Sequence, residues 1–110
     1  MEYLTRTEGA YTVISLTGEV DLQVSPQARQ QILQHLGEQQ NVLVDMSAVE
    51  YIDSSGIASL VEGLRLARSK NLEFGLVGVS KAAMQVLKLA RLDQVFTIHD
   101  SVSDRLGAGE

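Results

Sequence analysis

The sequence predicts one α/β domain, built on a mixed and mainly parallel sheet of about five strands with about four helices. Short runs rich in β-branched and apolar residues alternate along the chain with apolar stripes at helical spacing. The connections between them are short, which favours right-handed crossovers between parallel strands. The 110 residues suit a single domain over residues 1–110, with a tail that frays over 106–110.

Five segments have the composition of strands. The first two form a hairpin across Glu8-Gly9, which makes the sheet mixed, and Thr17-Gly18 predicts a turn after the second strand. The third segment is wholly apolar, which is typical of a strand covered on both faces. The predicted strands are Tyr3–Thr7, Tyr11–Leu16, Val42–Val44, Phe74–Val77 and Val95–Ile98.

Capping residues indicate where the first two helices begin. Ser25 followed by Pro26 predicts an N-cap and the first helical position, and Gly37 predicts the end of that helix. The second helix is expected over about 54–69, because apolar residues recur on one face there and Asp53 can cap it.

Two further helices are expected in the second half of the chain. Ser80 can cap the third, and Ser101 with Asp104 resembles the start of a short fourth. The inward residues of the third helix are expected to be Ala83, Val86, Leu87 and Ala90.

The composition excludes several classes of function. The chain has no cysteine, so disulfides, thiolate metal sites and thiol nucleophiles are excluded. Its net charge of -5, with nine Lys plus Arg, argues against a nucleic-acid binder. No apolar stretch approaches the ~20 residues that span a bilayer, and the first residues lack the pattern of a secretory signal. We expect a cytoplasmic protein without direct membrane insertion.

The segment most able to carry chemistry is Asp53-Ser54-Ser55-Gly56, at the start of the second helix. The first N–H groups of a helix lack partners within the helix, and the helix dipole places partial positive charge there. A serine at this end is exposed, an anion attached to it is tolerated, and Gly56 leaves the amides unshielded. The segment therefore fits a phosphorylation site, although ordinary helix capping explains the same residues.

The sequence supports a catalytic or metal-binding role less well than a phosphorylation site. The loop lacks the glycine two residues before the serine that a nucleophile elbow needs, and neither His35 nor His99 has an activating context. The carboxylates do not form a ligand-dense loop, so no metal site is predicted. Two glycines, Gly75 and Gly78, precede the third helix without completing a nucleotide-binding motif.

Several segments, in order, resemble the STAS family, the domain of bacterial anti-sigma factor antagonists. The resemblance runs from Val13 to Leu106. The matching segments are Gly18-Glu19-Val20-Asp21, Ser25-Pro26 with Arg29, Val42-Leu43-Val44-Asp45-Met46-Ser47, Ile52-Asp53-Ser54-Ser55-Gly56 and Leu92-Asp93-Gln94-Val95-Phe96.

The resemblance implies a phosphorylation switch. The family's phosphoacceptor corresponds to Ser54 in this sequence. Asp21 matches an acidic position that lies near the phosphoacceptor and contacts the partner. Asp53, Ser55 and Gly56 complete the expected partner-binding loop. The unmodified protein would bind an anti-sigma factor that is a serine kinase and thereby release a sigma factor. Phosphorylation would end the complex, and a serine phosphatase would reset it. The chain would need no cofactor and would not be an enzyme, because ATP and Mg²⁺ belong to the kinase.

An alternative is implied by the same family, whose stand-alone members also serve as cytoplasmic accessories of lipid-transporting ABC permeases. Three departures from the antagonist pattern leave the partner open. Ile57-Ala58 stands where a leucine-glycine pair is common, Asn71-Leu72 where a glycine-rich turn is common, and Ala90-Arg91 where a small hydroxylated residue and glycine are frequent.

Overall fold

A computed structural model describes residues 3–102, and it contains three helices and five strands within that range. The predicted fold class is confirmed. The predicted fourth helix falls mainly, and the predicted frayed tail wholly, on residues outside those described. In chain order the elements are β1 (Leu4–Glu8), β2 (Tyr11–Val20), α1 (Ser25–Gly37), β3 (Asn41–Ile52), α2 (Ser54–Ser69), β4 (Phe74–Val77), α3 (Lys81–Leu89) and β5 (Thr97–His99).

The five strands form one sheet in the order β1-β2-β3-β4-β5. The β1–β2 hairpin is antiparallel, and every later pair is parallel, so each helix returns the chain to the start of the next strand. Ile32 of α1, Leu60 of α2 and Leu87 of α3 join one buried cluster with Ile14 and Val44 of the sheet. A smaller cluster lies on the other face, formed by Tyr11, Val13, Leu43 and Val77 with Val102 against it.

Strands β2 and β3 are longer than predicted. Gly18 does not end β2; it adopts a φ of +68° at an irregularity in the pairing, and the strand continues to Val20. β3 likewise continues beyond Val44 to Ile52, pairing Val20 with Ile52. The extension was missed because its polar and charged residues interrupt the apolar run that predicted the strand.

The first helix begins differently from the prediction. Ser25 is not its cap: it lies within the helix and is buried, and no side chain caps the preceding Val24. The Asp21 carbonyl accepts the N–H groups of Val24 and Ser25 instead, at 3.1 and 2.8 Å. Pro26 lies in the first turn as predicted.

Two residues after the last residue of each helix, a residue other than glycine adopts the left-handed region. Gln39, Asn71 and Arg91 have φ values of 65°, 57° and 59°. After each, the next N–H donates to a carbonyl five positions earlier, at 3.1, 2.8 and 2.8 Å, which is the Schellman arrangement. Gly37 is the last residue of α1, as predicted, but the left-handed position is Gln39.

Two predictions in the last third of the chain are corrected. Ala90 is exposed rather than inward, because the chain leaves α3 at Leu89; Ala83 and Leu87 are buried as predicted, and Val86 is half-buried. The last strand begins at Thr97 rather than Val95. Val95 lies in a turn, where its N–H donates to the Leu92 carbonyl at 3.0 Å.

Candidate functional site at the start of helix α2

Two loops meet at the carboxyl end of β2 and β3. The Asp53 N–H donates to the Val20 carbonyl at 3.3 Å, which joins the end of β3 to the end of β2. Six residues further on, the buried Ser59 hydroxyl donates to the Ser25 carbonyl at 3.3 Å. The β2–α1 turn and the start of α2 therefore form one surface.

Asp53 caps α2 as predicted. Its Oδ1 accepts the N–H groups of Ser55 and Gly56 at 2.9 and 3.2 Å, and it also accepts the Ser55 hydroxyl. The Ser55 hydroxyl is the main cause of a lowered pKa of Asp53; partial burial opposes it, and the N–H groups of Gly56, Ser55 and Leu22 lower it further. Asp53 is consequently a carboxylate under ordinary conditions and holds the beginning of the helix in place.

The two adjacent serines differ in their surroundings. Ser54 is exposed at the first position of α2, and its hydroxyl makes no hydrogen bond to any other residue of the range 3–102. Ser55 is half-buried, and its hydroxyl is directed to Asp53. The exposure expected for Ser54 is thus observed, and its role as a phosphoacceptor stays a prediction.

Asp21 lies in the neighbouring turn. Its side chain accepts the Gln23 N–H at 3.0 Å and so stabilises the turn that leads into α1. Its charge also reaches Tyr3 of the first strand region: burial first, and Asp21 second, raise the pKa of the Tyr3 phenol. Within the described chain no hydrogen bond joins Asp21 to Ser54, although their loops are connected through Val20 and Asp53.

Gly56 is a packing residue, whereas the sequence suggested that it leaves the helix amides unshielded. It is buried, and a Cβ at this position would lie 2.6 Å from Ile52 Cγ1 and 2.8 Å from the Val20 carbonyl oxygen. The absence of a side chain lets α2 begin directly against the ends of β2 and β3. Gly56 thereby positions the loop through its packing against the strand ends, and it is itself buried.

Two exposed apolar side chains beside the loop were not singled out from the sequence. Leu22 is 72% exposed and Tyr51 is 51% exposed, and both belong to the two segments that meet at Asp53. Sequence alone cannot distinguish an exposed leucine from a buried one in a short turn. Leu22 and Tyr51 therefore add exposed apolar surface to the two segments that meet at Asp53.

The same end is acidic. Glu19 and Glu50 are exposed and Asp21 and Asp53 half-buried, and all four lie within the last residues of β2 and β3 or the turns that follow them. The sequence has no Lys or Arg from residue 30 to residue 64. We call the surface formed by Glu19, Leu22, Glu50, Tyr51, Asp53 and Ser54 the Ser54 end.

The sequence matches one protein family over most of its length. A family model described as "Mlab, STAS domain" matches residues 4–99, which is most of the chain. The chain belongs to the STAS domain family. The resemblance to the STAS family inferred from the sequence is therefore confirmed.

Solved structures of STAS proteins share the fold. An anti-sigma factor antagonist from Mycobacterium paratuberculosis is 26% identical, with a TM-score of 0.83 over 96% of this chain and 91% of that one. A STAS domain protein from Planctomyces limnophilus is 25% identical, with a TM-score of 0.82 over 98% and 97%. The phosphorylated form of SpoIIAA, a Bacillus cell fate determinant, is 16% identical with a TM-score of 0.76 over 98% and 99%. This STAS domain is thus similar to anti-sigma factor antagonists.

Two further observations concern what the described residues contain. Over residues 3–102, no helix combines the length and the apolar character needed to cross a bilayer. In that same range, no three His, Asp or Glu side chains are grouped closely enough to hold a metal ion.

Proposed function

We propose that this STAS domain is a cytoplasmic anti-sigma factor antagonist whose binding is switched off by phosphorylation of Ser54. Its unmodified Ser54 end binds an anti-sigma factor that is also a serine kinase, and a sigma factor is released. The kinase supplies ATP and Mg²⁺ and transfers phosphate to Ser54, and a serine phosphatase restores the unmodified form. In this cycle the chain is a ligand and a substrate, not a catalyst.

The observation that carries the proposal is the different engagement of the two serines. The Ser54 hydroxyl is exposed and has no partner in the described chain, whereas the Ser55 hydroxyl donates to Asp53. A kinase can reach the first without breaking a native contact. Modification of the second would break its bond to Asp53 and place a phosphate directly against that carboxylate.

The surroundings of Ser54 explain how phosphate would release a partner. It adds about -1.5 to -2 charge, which the N-terminal amides of α2 help to offset in the free domain. In a complex, the dianion would be enclosed beside Asp53 and the apolar side chains of Leu22 and Tyr51. An unmatched charge at an interface costs several kcal/mol, and about 1.4 kcal/mol is already tenfold in affinity.

A kinase assay tests the proposal. The protein is incubated with ATP, Mg²⁺ and the serine kinase encoded nearest to its gene, and the modified residue is located by mass spectrometry. We expect phosphate on Ser54, none on Ser54→Ala, and normal modification of Ser55→Ala, which is the matched control. Phosphate on Ser55 alone, or equal kinase binding by wild type and Ser54→Asp, would contradict the assignment.

The second candidate is an accessory subunit of a lipid-transporting ABC permease, docked through the same surface. It rests on the membership of the STAS family, whose matching model carries the description "Mlab, STAS domain". Copurification from detergent-solubilised membranes distinguishes the two. Retention of a permease and its ATPase by wild type, but not by Tyr51→Lys, would favour this candidate over the switch.

A further inference from the structure

The end of α3 combines exposed apolar surface with positive charge. Leu89 is 86% exposed, the most exposed large apolar side chain among the described residues. Lys88 precedes it, and Arg91 follows two residues later; both are exposed. No Asp or Glu occurs between residues 74 and 92, in a chain whose net charge is -5. We call Lys88, Leu89 and Arg91 the α3 tip.

Helix stability explains only part of this pattern. Cations at the last turn of a helix interact favourably with its dipole, which accounts for Lys88 and Arg91. It does not account for an apolar side chain left in water at the neighbouring position. Arg91 also occupies the left-handed region with a φ of 59°, where glycine would avoid the strain.

The α3 tip and the Ser54 end lie at opposite ends of the sheet. Ser54 follows the carboxyl end of β3 directly. α3 follows the carboxyl end of β4 and leads back to the start of β5, which is parallel to β4, so its last turn lies toward the amino ends of the strands. The two surfaces therefore cannot contact each other within one molecule.

We propose that the α3 tip of one copy binds the Ser54 end of a second copy. The two surfaces have opposite charge, since Lys88 and Arg91 face a partner that carries Glu19, Glu50 and Asp53. Both also expose large apolar side chains, Leu89 on one and Leu22 with Tyr51 on the other. The contact is heterologous, because different surfaces of the two copies meet, and it leaves one free end of each kind.

This contact adds a layer of regulation to the proposed function, because a copy bound in this way covers the Ser54 end that the kinase would need. The association is weak and salt-sensitive, since exposed charges are screened over about 10 Å at 0.1 M salt. It needs neither a kinase nor ATP. The test of self-association can thus fail while the proposed function holds. Equally, the copies can associate even if Ser54 is not phosphorylated.

Sedimentation velocity of the purified chain tests the proposal. We expect the weight-average sedimentation coefficient to rise with protein concentration at about 20 mM NaCl and to return to the monomer value at about 500 mM NaCl. Leu89→Ser and Lys88→Glu should each weaken the association at least tenfold. Leu4→Ser removes another exposed leucine, 79% exposed on β1, and should leave the association unchanged. Circular dichroism melts confirm that each variant is folded.

A mixing experiment identifies the two surfaces. Leu89→Ser retains an intact Ser54 end, and Leu22→Ser retains an intact α3 tip. Each variant alone should be monomeric, whereas an equimolar mixture should form a complex of two chains that does not grow further. That result requires a contact between different surfaces.

Three outcomes would overturn the proposal. The first is a wild-type chain that stays monomeric at low salt up to the solubility limit. The second is an association that Leu89→Ser and Lys88→Glu leave intact, or a mixture that fails to associate. The third is a monomeric protein that cosediments with phosphatidylglycerol vesicles through the α3 tip, which would assign this surface to a lipid bilayer.

Discussion

The Ser55 hydroxyl donates a hydrogen bond to the carboxylate of Asp53, two residues before it. This contact makes Ser55 part of the helix cap and leaves Ser54, between the two, directed to solvent. The chemical difference between two adjacent serines therefore depends on one carboxylate.

Ser55→Ala should raise the pKa of Asp53 toward its ordinary value, because the hydroxyl is the main cause that lowers it. The variant should also be less stable than Ser54→Ala, whose free energy of unfolding should stay within about 0.5 kcal/mol of wild type. NMR titration of the Asp53 carboxyl and urea unfolding measure the two effects. An unchanged pKa in Ser55→Ala would remove the basis for distinguishing the serines.

The stability of the domain should depend on the charge of Asp53 at low pH. Because its pKa is lowered in the folded state, the carboxylate contributes stability that is complete above the ordinary value of 3.8 and is lost as the pH falls through the lowered pKa. Asp53→Asn retains an oxygen that can cap the helix but does not titrate. The stability difference between wild type and Asp53→Asn should therefore shrink as the pH falls below 3.8 and through the lowered pKa. A stability difference that stays constant as the pH falls would contradict the role assigned to the Asp53 carboxylate.

Gly56→Ala should destabilise the domain by about 1–3 kcal/mol, because the new methyl group would overlap Ile52 and the Val20 carbonyl. The start of α2 must shift to accept it, so the Ser55 amide resonance should move as well. Gly37→Ala is the matched control: a Cβ there meets nothing within 4 Å, and the change should be neutral or stabilising by up to about 1 kcal/mol. Equal losses at both glycines would refute the packing argument.

The left-handed helix ends predict stabilising substitutions. Gln39→Gly should raise the free energy of unfolding by about 0.5–1 kcal/mol, and Asn71→Gly by less, since asparagine tolerates this conformation better. Glu38→Gly tests the same helix end at a φ of -89°, where glycine brings no such relief and should be neutral or destabilising. Thermal unfolding compares the three, and a stabilising Glu38→Gly would show that strain is not the cause.

The sequence predicted well those elements that local signals define. The bounds of α2 agree with the prediction because Asp53 marks its beginning and a strong apolar period continues to the last turn. β4 was also predicted correctly, since its four residues are buried throughout. These signals are contained in the segments themselves.

What the sequence did not predict depends on contacts between segments. The second half of β3 is a strand because β2 pairs with it as far as Ile52, not because its own residues alternate clearly. The burial of Ser25 and the exposure of Leu22 and Tyr51 are likewise set by how α1, α2 and the strand ends pack. The positions of Asp53 and Ser54 at the start of α2 were predicted from the sequence, whereas the exposure of Leu22 and Tyr51 required the fold.

Because Gly56 has no side chain, the first turn of α2 packs directly on the ends of the paired strands β2 and β3. The Ser54 end is accordingly preorganised: its backbone is already ordered before any partner arrives. A partner would lose little conformational entropy in binding it, so affinity can come from a small contact area. In the proposed switch, this preorganised surface would let one phosphate end the complex without refolding the domain.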